Sequence, residues 1–408
     1  MPQYVIKPNV YCISINDRTT DLFEGLWPVT EEGVSYNSYM IVDEKKVLID
    51  LSKAFKGDEF FDAVEEIVPI SELDYVIMNH LEPDHGGLVT TMRRINPNLT
   101  ILCTDKAKEM LATFYNITDN VQAVSDGETL DLGTKTLQFF HAPFVHWPET
   151  MVTYDTTDNI LFACDAFGGY GAIRGSLFDD EIKDEEWNFY IKESLRYYVN
   201  IVAKFSGQVI KAINKLVGAG LKIDCIAPSH GIIWRKNPGK IIELYQKWAG
   251  YMLGETEPGI TVLYASMYGN TEAMMNAVVQ GISEVGVPVE VFDVARINVS
   301  YILPSLWTKK GVIIGAPTYE AGLFPQMVYV LDMAKRKRIL NKKVARFGSK
   351  GWSGGAQKEL EELLDRNKWE LVDYFEFTGH ATKEELTKGE ELGKKFAQLI
   401  KSHNDRDQ

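Results

Sequence analysis

The sequence predicts an α/β protein of two domains, a two-sheet sandwich followed by a doubly wound parallel sheet. Three observations predict it. The chain has 408 residues, more than one ordinary domain of roughly 100–200 residues. Its first part carries short β-like runs in pairs, separated by loops and scattered helices, whereas its last part alternates strand and helix strictly. Between the two rhythms lies the polar stretch Gly254–Gly259, which holds Pro258 and glycine at both ends. The expected organisation is a first domain over 1–253, a linker over 254–259 and a second domain over 260–408.

In the first part, Ser38–Asp50, Thr136–His141 and Met151–Cys164 read as strand pairs, and Asp74–Met78 as a buried strand. Glu186–Val217 reads as a long helical region with Phe189, Leu195, Val199 and Val202 as apolar positions. This is the rhythm of a two-sheet α/β sandwich with metal-binding loops at strand ends. In the second part, Ile260–Ala265 is an apolar strand and Thr271–Val285 an amphipathic helix. Val287–Phe292, Val312–Gly315, Lys343–Gly348 and Glu370–Glu376 supply further strands, with helices between them. The pattern is that of a flavodoxin-like, doubly wound sheet.

A formal charge of -14 argues against nucleic acid or an anionic membrane as the main partner. No apolar run is long enough to span a bilayer, and the start lacks the regions of a secretory signal, so the protein reads as cytoplasmic. Cys12, Cys103, Cys164 and Cys225 form no C-x-x-C pair. They read as small core residues rather than ligands of an iron–sulfur, rubredoxin-type or zinc-ribbon module.

Two of the seven histidines stand in His80-Leu81-Glu82-Pro83-Asp84-His85, directly after a buried strand. Two imidazoles and two carboxylates in six residues suit iron, manganese or zinc; the plainer alternative is a solvated polar turn. His146 precedes the Met151 strand, Asp165 follows the strand ending at Cys164, and His230 follows Ile226–Ser229. Each thus sits beside an apolar run, where a sheet edge can present it to a shared cleft. His141 reads as a supporting or structural residue, His380 and His403 as surface residues. Trp147 can wall the site or simply fill the core.

The order H-x-E-x-D-H, H, D, H resembles the metallo-β-lactamase-like αββα domain of flavodiiron proteins. Hydrolases of that superfamily usually carry histidine at the third motif position and bind zinc. Here the residue is Glu82, a harder, anionic ligand that favours iron. The resemblance implies His80, Glu82 and His146 on one iron, Asp84, His85 and His230 on the other, and Asp165 bridging.

After the strand Ile260–Ala265 comes Ser266-Met267-Tyr268-Gly269-Asn270-Thr271, then a helix. Hydroxyls, a turn glycine and backbone N–H groups at a helix start make a cradle for a phosphate monoester. The loop does not match the P-loop pattern of nucleotide triphosphatases. Two later loops also follow strands: one holds Pro317, Thr318 and Tyr319, the other Ser349-Lys350-Gly351-Trp352-Ser353-Gly354. Tyr319 and Trp352 can flank a flat ring there.

These loops resemble the FMN-binding flavodoxin half of flavodiiron proteins, so the resemblance covers nearly the whole chain. Glu320 stands where the family commonly has Asn, and Lys350 where it frequently has an apolar or aromatic residue. The resemblance implies two Fe ions, FMN as electron relay and reduction of dioxygen to water, with nitric oxide as the alternative acceptor. It implies a homodimer or dimer of dimers, the flavin of one chain meeting the irons of the other. No rubredoxin module is read in the chain, so an external donor is expected. Rubredoxin is the usual one, and methanogen relatives accept hydride from a reduced deazaflavin coenzyme. Lys350, with the basic run Lys335–Arg338, tips the expectation toward the deazaflavin. Two other classes remain: a metal-dependent hydrolase, against which Glu82 and the flavodoxin half argue, and an electron-carrier flavodoxin with a degenerate first domain, against which the complete ligand set argues.

Overall fold

The computed structural model describes residues 3–254 and 256–402; His403 and the rest of the polar tail lie outside them. The chain divides into two compact units, residues 1–249 and 250–408.

Among the described residues the first unit is built on two large sheets, beside the small ribbon Leu22–Phe23/Trp27–Pro28. One has seven strands in the order Gln3–Lys7, Val10–Asp17, Val34–Val42, Lys46–Ile49, Tyr75–Ile77, Thr100–Cys103 and Val121–Ala123. It is antiparallel up to Lys46–Ile49 and parallel beyond. The other has five, Thr129–Asp131, Thr136–His141, Met151–Asp155, Ile160–Cys164 and Cys225–Pro228, of which only the last pair is parallel. Tyr39 ties the sheets together: its hydroxyl donates to the Pro228 carbonyl at 2.6 Å, and its ring lies 5.1 Å from that of Phe162. On the outer face of the first sheet, Met40, Leu48, Val76 and Ile101 pack against the helix residues Phe60, Val64, Met92 and Leu111. Burial of such side chains supplies most of the driving force, about 1.5–3 kcal/mol each.

The helical region expected over Glu186–Val217 is not one helix. An α-helix over Asp184–Tyr197 gives way to a π turn, Tyr198–Val202, and a 3-10 turn, Ala203–Phe205, before a second helix over Ser206–Gly218. Every residue of the π turn is buried, so packing on all sides, not helix propensity, sets the backbone there. The Tyr198 hydroxyl and Ser206 Oγ, 2.6 Å apart, span the break.

The second unit holds five parallel strands in the order Val289–Asp293, Glu257–Tyr264, Lys309–Gly315, Lys343–Lys350 and Glu370–Thr378. Ranked by chain position this is 2-1-3-4-5, the flavodoxin-like order. Its first strand begins at Glu257, inside the stretch expected to be linker. The helices Asn270–Val285 and Lys383–Ser402 pack closely through glycines. A Cβ at Gly281 would come 1.9 Å from the Glu390 carbonyl oxygen, and one at Gly393 2.0 Å from that of Val278.

Candidate metal centre and flavin site

The metal candidates sit where strands of the first unit end. His80 and Glu82 follow Tyr75–Ile77, and Asp84 and His85 lie in the short helical turn Pro83–Gly86. Two buried carboxylates pin the intervening backbone: Asp50 Oδ1 accepts from Asn79 N at 2.8 Å, and Glu149 Oε1 from Leu81 N at 3.0 Å. Asp50 itself adopts left-handed backbone, φ 53°, a conformation uncommon outside glycine that aspartate tolerates better than most residues.

All seven predicted ligands come together, in two groups. One joins His80, Glu82, His146 and Asp165; the other joins Asp84, His85 and His230. Asp165 stands between them. Its Oδ2 is 3.4 Å from His80 Nε2 and 3.2 Å from His146 Nε2, while its Oδ1 is 2.9 Å from His85 Nε2 and 3.3 Å from His230 Nε2. Glu82 Oε2 closes the first group at 3.1 Å from His146, and Asp84 Oδ2 the second at 3.3 Å from His230.

The carboxylates dominate the electrostatics of the cluster. Burial pushes the imidazoles down, yet their carboxylate neighbours outweigh it: His80 and His230 are held up at about 10, His85 and His146 at about 9. Burial raises Asp165, but the surrounding imidazoles hold it well below the usual carboxylate range. Both oxygens of Asp84, Oδ2 of Asp165 and Nε2 of His230 are buried without a hydrogen bond of good geometry. Buried orphans in a native fold call for an ion or a specific role. Here they are nitrogen and oxygen donors converging in two clusters, a set that fits two cations of the iron, manganese or zinc class. Cys164 also lies beside His85 and Asp165, but burial raises its thiol well above the ordinary value, consistent with a core residue.

Three supporting residues escaped the sequence reading. Glu149 Oε1 accepts from His80 Nδ1 at 2.7 Å; its place three residues after His146 was the available signal. The Tyr197 hydroxyl donates to Asp165 Oδ1 at 2.9 Å, from the last turn before the π bulge, and nothing in the local sequence marks it. The Ser35 carbonyl accepts from His230 Nδ1 at 2.7 Å. Such partners fix tautomer and ring orientation. His141 instead bonds the Val124 carbonyl at 3.0 Å and belongs to neither group, so its role is structural. Trp147 is a wall, its ring edge-on to His80 at 5.0 Å. An open cleft of about 220 Å³ reaches Glu82 and Asp84 past Phe23, Glu24 and Lys53.

In the second unit the three predicted loops all leave carboxyl ends of parallel strands, Glu257–Tyr264, Lys309–Gly315 and Lys343–Lys350. Ser266 Oγ accepts from Gly269 N at 3.0 Å and Glu272 N at 3.3 Å. Gly269 takes φ 86° with nothing within 4 Å of an added Cβ, leaving backbone open for a ligand to approach. Thr271 Oγ1 and Ser349 Oγ, 2.9 Å apart and buried, lock the first loop to the third. Met267, Tyr268, Tyr319 and Trp352 are exposed, Trp352 almost fully at 97%. Asn270, Gly351, Ser353, Gly354 and Thr318 lie in the same loops or at their edges, while Pro317 is buried. Open backbone, hydroxyls at a helix start and exposed flat rings fit a flavin monophosphate.

Two departures gain physical content. Glu320 and Ala321 both take left-handed backbone, φ 47° and 61°, at the tip of the hairpin Thr318–Tyr319/Gly322–Leu323; Asn adopts that region more readily than Glu. Lys350 Nζ lies 3.4 Å from Glu376 Oε2, so a carboxylate offsets its charge. His380 is exposed as expected, with Nδ1 3.3 Å from Asn270 Oδ1.

The ODP family of beta-lactamases matches residues 34–231, and the flavodoxin family residues 262–393. In sequence the chain is 37% identical over 371 residues to the anaerobic nitric oxide reductase flavorubredoxin of Citrobacter koseri, covering 90% of this chain and 76% of that protein. In structure it is similar to rubredoxin:oxygen oxidoreductase of Desulfovibrio gigas, with a TM-score of 0.92 at 27% identity over 98% of this chain and 99% of that one. It is equally similar to the flavodiiron protein of Giardia intestinalis, TM-score 0.92 at 28% identity over 100% and 98%. Among the described residues no helix is long and apolar enough to cross a membrane.

Proposed function

The chain belongs to the flavodiiron proteins, and we propose that within that family it reduces dioxygen to water with electrons from an external carrier. It is an oxidoreductase with FMN and a diiron centre. The observation that carries the two-metal part of this reading is Asp165, whose two oxygens face two separate histidine–carboxylate groups.

When bound, the iron pair and the FMN would each supply two reducing equivalents, together the four that dioxygen needs to become two waters. His80, Glu82 and His146 would hold one iron, Asp84, His85 and His230 the other, and Asp165 both. Glu149 and the Ser35 carbonyl present the Nε2 atoms of His80 and His230 inward by accepting from Nδ1. Tyr197 donates to Asp165 Oδ1 and so helps to fix the orientation of its carboxylate. Trp147 and Phe23, packed edge-on to His80 and His230, limit water. In the second unit Ser266, Asn270, Thr271 and the amides of the first loop would take the FMN phosphate, with Tyr319 and Trp352 beside the ring and the glycines 351 and 354 at its edge.

The donor expected from Lys350, a reduced deazaflavin coenzyme, has lost part of its support, because Glu376 pairs with that cation. A rubredoxin-type carrier is the better-supported donor, and the name of the Desulfovibrio gigas protein points the same way. Nitric oxide is the second reading of the acceptor, favoured by the Citrobacter koseri relative. The active unit is proposed to be a homodimer; a fully active monomer in sedimentation under assay conditions overturns that part.

The test uses purified protein with its iron and FMN measured. Each reduced donor is supplied anaerobically, then dioxygen or nitric oxide is added. Four electrons consumed per dioxygen without peroxide is the expected result. Zinc in place of iron with no gas turnover indicates a hydrolase, and FMN without iron an electron carrier.

A further inference from the structure

The first unit contains a second cavity, which shares no lining residue with the open cleft. It lies between the five-stranded sheet and the helices Ser206–Gly218 and Pro238–Gly250, and its volume is about 20 Å³. That is room for about one water-sized molecule. Phe140 and Val152 of the sheet face Val209, Ile213 and Leu216 of the first helix across it. Val145 and Ala166 close its inner end. These are the residues immediately before His146 and immediately after Asp165, so the cavity abuts the backbone of two candidate ligands.

The lining decides what the cavity can take. A buried water needs two to four polar partners, and the polar groups at this wall are already engaged. The Tyr245 hydroxyl points to the Gly168 carbonyl at 3.4 Å. His141 Nε2 bonds the Val124 carbonyl. Lys215 Nζ reaches Asp126 at 2.5 Å and the His141 carbonyl at 2.8 Å. The last two, partly exposed, mark the outer end. A small cavity walled by hydrocarbon favours an uncharged, weakly polar diatomic over water.

We propose that this cavity is a holding site for the gaseous substrate, from which dioxygen or nitric oxide passes to the metal centre beside it, while water and ions use the open cleft. The proposal rests on the gas-reductase reading above. Lys215, paired with Asp126, is the one basic residue of its lining besides His141, and Ala212, on the same helix, is a small lining residue.

The test is xenon, an apolar atom larger than water and somewhat larger than dioxygen that enters apolar cavities, applied under pressure to crystals of the iron- and FMN-loaded protein. Xenon density between Val145, Ala166, Val209 and Ile213 is expected. Ala212→Phe should remove that density and raise KM for the gas severalfold, with kcat changing less and iron and FMN contents unchanged. Ile213→Ala, which enlarges the cavity, should raise xenon occupancy and provides the check if the bulky variant does not fold. No xenon at this site in wild type, or an Ala212→Phe variant that loses xenon with KM unaltered, overturns the proposal. Xenon binding in a protein that turns over neither gas instead overturns the gas-reductase reading and, with it, a substrate role for the cavity.

Discussion

Asp165 Oδ2 lies 3.2 Å from His146 Nε2, and the other oxygen of the same carboxylate lies 2.9 Å from His85 Nε2. One side chain therefore belongs to both halves of the candidate centre. Asp165→Ala is expected to lose most bound iron and all gas reduction while keeping FMN, since each unit has its own core. Elemental analysis showing full iron occupancy in that variant would falsify the ligand role.

Glu149 supports His80 without belonging to either candidate ligand group. Glu149→Ala should weaken iron binding about 10–100-fold, the usual cost of removing a ligand's hydrogen-bond partner, with Glu149→Gln in between. Competition with a chelator measures it. Unchanged iron affinity in both variants would assign the residue to holding Leu81 N alone.

Ser266 organises the first flavin loop through two backbone N–H groups. Loss of such a helix-start acceptor costs about 1 kcal/mol, so Ser266→Ala should weaken FMN binding about 5–10-fold. Fluorescence of released flavin reports the affinity, and iron content serves as the control that must not move.

Lys342 is buried in the second unit, its ammonium donating to the Trp307 carbonyl at 3.3 Å and the Lys309 carbonyl at 2.5 Å. Burial, aided by the charge of Lys309, brings it down to about 7. The folded state then binds fewer protons than the unfolded chain between about pH 7 and the ordinary lysine value. This group's contribution to stability rises with pH across that window and is constant below it. From pH 7 to pH 9.5 wild type should gain about 3 kcal/mol more than Lys342→Met. Urea unfolding followed by FMN release at the two pH values measures the difference, and parallel curves for the two proteins rule the shift out.

Much of the site was legible in the residues. Five parallel strands with loops at their carboxyl ends, and the order His80, Glu82, Asp84, His85, His146, Asp165, His230, are local patterns. A strand's apolar run and a ligand-type residue just past its end are both written within a few positions of each other. Lys350 shows where such reading stops. A cation in the flavin loop looks free on paper, but its partner Glu376 is on the neighbouring strand.

The sequence by itself determined the two units, their strand rhythm and the identity of the candidate ligands, because hydrophobic periodicity and residue chemistry are properties of short segments. Only the tertiary structure decided that Asp165 divides its oxygens between two groups. It likewise decided that Tyr197 and Glu149 support those groups, that the helix after Tyr197 opens into a π turn, and that an apolar cavity is lined by Val145 and Ala166. Each of these depends on residues tens of positions apart meeting in a low-dielectric interior, where a hydrogen bond or a void is set by packing on every side at once.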